Sequence, residues 1–257
     1  MSALARAHDA PVSAPSDAEY AFTDADFRRI AAMLREDSGI HLSDSKAALV
    51  YARLSKRLRR LGLRAFQDYC RLVASPEGRE ERGHMLSALT TNLTKFFREP
   101  HHFEHLRRNL LEPMAAEIRA GARLRIWSSA CSTGEEPYSI ALTVLDCLPE
   151  ASQLDVKVLA TDIDPVVVEK ARKGVYTRDD LSPVPPALRD RWMAPVSPGE
   201  TWTAGAEMRD LIGFRTLNLL HEWPMKQKYQ AVFCRNVVIY FEEDVQNALW
   251  AKFRKVI

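Results

Sequence analysis

Four short stretches of this 257-residue chain carry side chains suited to holding a nucleoside. Ser132-Thr133-Gly134-Glu135-Glu136 reads as a tight turn that opens a helix. Asp162 ends an apolar run and offers a carboxylate able to accept both hydroxyls of a ribose; Asn218-Leu219 and Arg235-Asn236 follow two more such runs. The turn departs from the dinucleotide pattern G-x-G-x-x-G, with a single glycine and two glutamates where a pyrophosphate would lie. Paired carboxylates repel phosphate and favour a cation. A ligand carrying a sulfonium and an ammonium suits them, and S-adenosylmethionine is such a ligand. A plainer alternative stands beside this one: two glutamates in a first helical turn also stabilise the helix end by themselves.

The elements that must hold these residues fall into two textures. From Thr23 to about Arg98 the apolar spacing is helical. Thr23 precedes Asp24 and Asp26 in a capping arrangement, Phe27, Ile30 and Leu34 follow, and Gly39 stops that helix. A second helix spans about Ser43 to Leu61, with Val50, Leu54, Leu58 and Leu61 on one face and Gly62 as its stop; Phe66, Tyr69, Leu72 and Val73 mark a third, and a fourth begins near Met85. After Gly121, strand-like runs at Leu124, Val156–Thr161, Leu211–Leu217 and Tyr229–Cys234 alternate with helices, which predicts a parallel α/β sheet. Residues 178–200 hold five prolines and interrupt the alternation as a long loop or a small inserted subdomain. Residues 1–20 read as a disordered lead-in, and the stop after a helix at Ile257 suggests a chain clipped at its C-terminus.

Composition narrows the class. The chain is 46% apolar and 27% charged, with 36 basic against 34 acidic residues, so its net charge of +2 names no partner. No apolar run approaches the ~18 residues of a membrane span, and no secretory leader is visible, so a cytoplasmic location without membrane insertion is expected. Four scattered cysteines (Cys70, Cys131, Cys147, Cys234) read as reduced thiols. His101 and His102 are adjacent and on different helix faces, so no metal site is expected.

The segments Thr90–Glu99, Ala130–Ser139, Ala160–Asp164 and Phe233–Phe241 together resemble the chemotaxis receptor glutamate O-methyltransferases, the CheR family, and the resemblance runs in order from Thr23 to the end. It implies an N-terminal all-α domain (21–98) followed by an α/β Rossmann-like class I methyltransferase domain (99–257) with a small inserted β-subdomain at about 178–212. It implies transfer of a methyl group from S-adenosylmethionine to glutamate side chains of methyl-accepting chemoreceptors, leaving S-adenosylhomocysteine. Carried onto this chain, it places Asn92, Thr94 and Arg98 against the cofactor, Glu136 at its amino end with Glu135 as fallback, and Asp162 at the ribose. Asn218 and Leu219 would flank the adenine, Arg235 and Asn236 would close the pocket, and Arg98 and Tyr240 would lie beside the transferring methyl. The family carries a final β-hairpin after the last helix seen here.

Plainer roles stay open for single positions: Tyr240 as a core tyrosine, Arg98 as the partner of Glu99 or another carboxylate. Residues 53–64 hold six basic side chains and no acidic one. At 100° per residue, Arg53, Lys56, Arg57 and Arg60 form a stripe, with Arg59 beside it, that is either a solvated face or a dock for an acidic helical receptor segment. Two other functions compete: a cofactor-binding signalling module without turnover, and a nucleic-acid methyltransferase. Against the latter, Arg235-Asn236-Val237-Val238 lacks the Asn/Asp-Pro-Pro-aromatic pattern that cradles a flipped base, so no nucleic-acid partner is expected. A monomer is the default, and 197–206 could tether a receptor tail.

Overall fold

A computed structural model describes residues 19–197 and 199–257, so the expected lead-in lies, up to residue 18, outside the described residues. The described chain forms two compact units, one ending at Thr90 and the other spanning Thr91–Ile257. None of its helices is long and apolar enough to cross a membrane.

The first unit is built from α1 (Asp24–Ser38), α2 (Ala47–Leu61), α3 (Phe66–Ala74) and α4 (Arg79–Leu89). Thr23 and Asp26 cap α1 reciprocally: Asp26 N–H donates to Thr23 Oγ1 at 3.2 Å and Thr23 N–H to Asp26 Oδ2 at 3.1 Å. Gly39 and Gly62 end α1 and α2 with φ of 71° and 67°, where a Cβ would be strained. Phe27, Ile30, Leu34, Val50, Leu54, Leu58, Phe66, Tyr69, Val73, Met85 and Leu89 are buried, as helical spacing predicts. Two details differ from the sequence expectation. Leu61 is 40% exposed, because it is the last residue before the glycine turn. The fourth helix starts at Arg79, well before Met85; its first turn carries Glu80 and Glu81 and shows no apolar period to read.

The second unit opens with α5 (His101–Leu106), a π turn (Arg107–Leu111) and α6 (Glu112–Arg119). There follow β1 (Leu124–Ser128), α7 (Glu135–Cys147), β2 (Val156–Asp162), α8 (Pro165–Lys173), β3 (Val175–Thr177), α9 (Pro186–Trp192), β4 (Met193–Ser197) and β5 (Thr201–Ala204). The chain closes with α10 (Ala206–Leu211), β6 (Ile212–Thr216), β7 (Ala231–Phe233) and α11 (Glu243–Phe253). The main sheet has the order β6-β2-β1-β7, parallel throughout. Order reverses between β1 and β7, and the crevice beyond the carboxyl ends at such a reversal is where open α/β sheets bind ligands. Ser128 pairs with Ala160 on one side and Phe233 on the other, so the candidate turn and Arg235-Asn236 leave neighbouring strands at about the same height.

The second sheet, β3-β5-β4, is small and antiparallel. It begins at Val175, ahead of the expected insertion, with a three-residue strand too short to show alternation. Residues 206–216 have already returned to the main fold as α10 and β6. The small sheet shares the unit's core: Tyr176, Trp192, Met193 and Ala204 are buried in one cluster with Phe96, Tyr138 and Phe214.

Candidate cofactor site

The turn after β1 is held from three directions. Ser129 N–H donates to Phe233 O at 2.9 Å and Cys131 N–H to Thr161 O at 2.8 Å, tying the turn to both flanking strands. Gly134 enters α7 at φ 100°, and a Cβ there would lie 2.6 Å from the Tyr176 hydroxyl and 2.8 Å from Ala171 Cβ. Conformation and space both demand glycine. Tyr176 Oη in turn donates to Thr133 O at 2.8 Å, a link from the small sheet to the site that the sequence did not signal.

The two glutamates that start α7 have different fates. Glu136 accepts from Ser128 Oγ at 2.8 Å on Oε1 and from Arg235 Nη1 at 3.0 Å on Oε2. Burial pushes its pKa up, against the Ser128 hydrogen bond and the charges of Arg235 and Arg98. Glu135, 6% exposed, faces the Thr133 hydroxyl with both oxygens, at 2.9 and 2.7 Å. Burial raises its pKa as well. Glu136 is therefore the carboxylate set among cations, and Glu135 secures the turn.

Asp162, at the end of β2, is 8% exposed. Oδ2 accepts from Ser132 N–H at 2.8 Å and Oδ1 from Asp164 N–H at 3.1 Å. Backbone donors thus bind both oxygens, so the residue staples the turn to β2, and its carboxylate can still accept from a diol. Asn92 joins the same cluster: its Nδ2 donates to Asp164 Oδ2 at 3.2 Å and its carbonyl accepts from Ser132 Oγ at 2.9 Å. Asp164 also caps α8, accepting from Val166 N–H at 2.9 Å. The amide of Asn92 is therefore directed at a carboxylate of its own unit. Thr94 is half-buried two residues on.

Arg98 sits in a turn with two non-glycine residues in the left-handed region, Phe97 at φ 49° and Glu99 at φ 56°. Such backbone costs free energy unless its surroundings over-determine it. Here Phe97 N–H donates to Ser139 Oγ at 2.9 Å, Arg98 Nη1 donates to Leu93 O at 3.0 Å, and Arg235 Nη2 donates to Arg98 O. The Arg98–Glu99 contact is loose, 3.9 Å from Nε to Oε1. Arg235 also meets Glu99 at 3.2 Å and lies 5.6 Å from the Phe103 ring. The resemblance had Arg235 close the pocket; in the structure its guanidinium joins Glu136, Glu99 and the Arg98 carbonyl.

Leu217 N–H donates to Asp162 O at 2.8 Å and sets Asn218 beside the end of β2. Asn218 Oδ1 accepts from Leu220 N–H at 2.9 Å, and Leu219 is buried with its carbonyl bound by Trp223 Nε1 and Lys252 Nζ at 3.1 and 2.7 Å. Asn236 adopts φ 55° after β7. Tyr240 is half-buried on the 3-10 turn Val238–Tyr240, and its hydroxyl has no hydrogen bond among the described residues.

His101 and His102 have ring centroids 4.2 Å apart, and with Glu99 they bring metal-ligand atoms within 4.8 Å of one another. The Glu99 carboxylate there is already bound to the Arg235 cation. The basic stripe on α2 is not one surface. Arg53 Nη1 caps the end of α4, donating to Ala88 O, Leu89 O and Thr90 O at 3.2, 3.1 and 2.9 Å. Arg57 forks onto Glu81, with Nε 2.9 Å from Oε1 and Nη2 on Oε2. Lys56 and Arg60 are exposed, and so is Arg59, which pairs with Glu19.

A parallel sheet that reverses order beside an acidic helix start and an aspartate-ended strand defines an α/β protein of the kind that binds ligands at the carboxyl ends of its strands. Residues 92–257 match the family described as CheR methyltransferase, SAM binding domain, and residues 25–90 match CheR methyltransferase, all-alpha domain. The chain belongs to the CheR methyltransferase family. Among its relatives are a probable chemotaxis protein methyltransferase of Rhizobium etli, 50% identical over 86% of this chain and 83% of the relative. Chemotaxis protein methyltransferase 2 of Pseudomonas aeruginosa is 41% identical over 93% and 85%, and the chemotaxis protein methyltransferase of Escherichia coli 41% over 91% and 80%.

Proposed function

We propose that this chain transfers a methyl group from S-adenosylmethionine to glutamate carboxylates of chemoreceptors. What carries this is one juxtaposition: Glu136 and Asp162, both largely buried, stand at the switch point of the sheet inside the segment that matches a SAM-binding domain. The donor set suits that molecule, because a carboxylate flanked by a hydroxyl takes an ammonium and Asp162 has lone pairs left for a ribose. S-adenosylmethionine supplies a methyl group on a cationic sulfur. The relatives' names, which place them in chemotaxis, and the basic helix of the first unit support chemoreceptors as the substrates.

A glutamate acceptor, with an ordinary pKa of ~4.3, is already an anionic nucleophile at neutral pH and requires no general base. The protein's task is alignment, which can contribute ~7–11 kcal/mol when the geometry is good. Charge is neutralised as the ester forms, so groups near the carboxylate must orient it without over-stabilising the ground state. Arg98, held through its backbone by Arg235, and the Tyr240 hydroxyl are the candidates for that orientation. Lys56, Arg59 and Arg60 present the positive surface that steers an acidic receptor helix; Arg53 and Arg57 support the fold beneath it.

The test uses methyl-labelled S-adenosylmethionine with receptor protein, RNA and DNA in parallel. Label on the receptor, released as methanol by mild base, is expected. Label on nucleic acid, or cofactor binding by calorimetry with no transfer to any acceptor, would refute the proposal.

A further inference from the structure

The guanidinium of Arg235 is shared between two carboxylates. Nη1 lies 3.0 Å from Glu136 Oε2 and Nη2 lies 3.2 Å from Glu99 Oε2, with Nη2 also on the Arg98 carbonyl. Arg235 is nearly buried, with 11% of its side chain exposed, while Glu99 reaches solvent with 40% of its own. Glu99 is fixed in return by Arg235, and its backbone stands in the left-handed region. A lone Arg235–Glu136 pair would be neutral, and an incoming ammonium would meet little attraction there. Glu99 draws the same cation the other way. With Glu135 and Asp162 at the same turn, carboxylates outnumber the guanidiniums of Arg235 and Arg98, and removing Glu99 takes one negative charge from that balance.

We propose that Glu99 is a specificity-determining residue: by dividing the charge of Arg235 it keeps the potential of the site negative, which favours the sulfonium of the methyl donor over the neutral thioether of its product. This rests on the function proposed above. S-adenosylmethionine carries a net charge of +1 from its sulfonium, ammonium and carboxylate, and S-adenosylhomocysteine carries none. Loss of one nearby negative charge must therefore weaken the donor more than the product. Glu99 is partly exposed, so solvent and salt screen the effect.

The experiment is calorimetric titration of the chain with each compound, for wild type, Glu99→Gln and Glu99→Asp, at low and high salt. Glu99→Gln is expected to shift the ratio of the two dissociation constants against the donor by about fivefold at low salt, and by less at high salt. Glu99→Asp, which keeps the charge, is expected to hold the ratio within about twofold. Equal weakening of both compounds in Glu99→Gln would mark a merely structural role and overturn the inference. If that variant does not fold, Glu99→Asp decides alone, and a ratio shifted as far as fivefold in it overturns the inference. Binding of neither compound by the wild type overturns the proposed function and this inference with it; binding of both with an unmoved ratio overturns this inference alone.

Discussion

Replacing Arg57 by Met separates the structural arginines of α2 from the docking ones. Arg57 and Glu81 are 15% and 8% exposed in their side chains, and the Tyr69 hydroxyl donates to Glu81 Oε1 at 3.0 Å. The variant keeps the aliphatic stem and leaves Glu81 ionised, nearly buried and with one neutral donor. Breaking a buried pair from one side typically costs 3–5 kcal/mol, and partial exposure places this case near about 3 kcal/mol. In a unit this small that lowers the melting temperature by on the order of 10 °C. The pH dependence follows from Glu81. Burial works to raise its pKa from 4.5, but hydrogen bonds from Arg57 and Tyr69, with the charges of Arg57 and His84, hold it below that value. A carboxylate lowered in the folded state contributes stability that is complete above its unfolded pKa and is lost as pH falls through the folded one. In Arg57→Met burial dominates and the folded pKa rises, so the variant's penalty is relieved on acidification. Urea unfolding at pH 7 and near pH 4 checks both statements: the gap between the two proteins should be widest at pH 7 and close in acid. A gap under about 1 kcal/mol at pH 7, or one that does not change with pH, would refute the reasoning.

Three further outcomes are expected. Lys56→Glu with Arg60→Glu should cut receptor methylation by about tenfold at low salt while changing stability by less than about 0.5 kcal/mol, read by labelled transfer beside calorimetric cofactor binding. Gly134→Ala should destabilise by at least about 2 kcal/mol, since it adds a strained φ and a clash with Tyr176, and Tyr176→Phe in the same chain should restore only part of the loss in a denaturation cycle. Tyr240→Phe should lower turnover by roughly tenfold with cofactor affinity unchanged; unchanged turnover would remove the hydroxyl from the mechanism.

Much of this molecule is legible in one dimension. Helical spacing at Phe27, Ile30 and Leu34, the Thr23–Asp26 cap and the stops at Gly39 and Gly62 are local signals, written within a turn or two of the residues they govern. The same holds for the alternation of strand and helix after Gly121, and for the motif residues Glu136 at a helix start and Asp162, Arg235 and Asn236 at or just past strand ends. Periodicity states which face a residue occupies but not what comes to meet it. That Arg53 closes α4, that Arg57 is consumed by Glu81, and that Arg235 reaches Glu136, Glu99 and the Arg98 carbonyl depended on partners 24 to 137 positions away. The placement of Tyr176 against Thr133, and the reversal of strand order between β1 and β7, were likewise decided by packing. A charged side chain can be satisfied by solvent or by any complementary group of the fold, and only the assembled core selects between them.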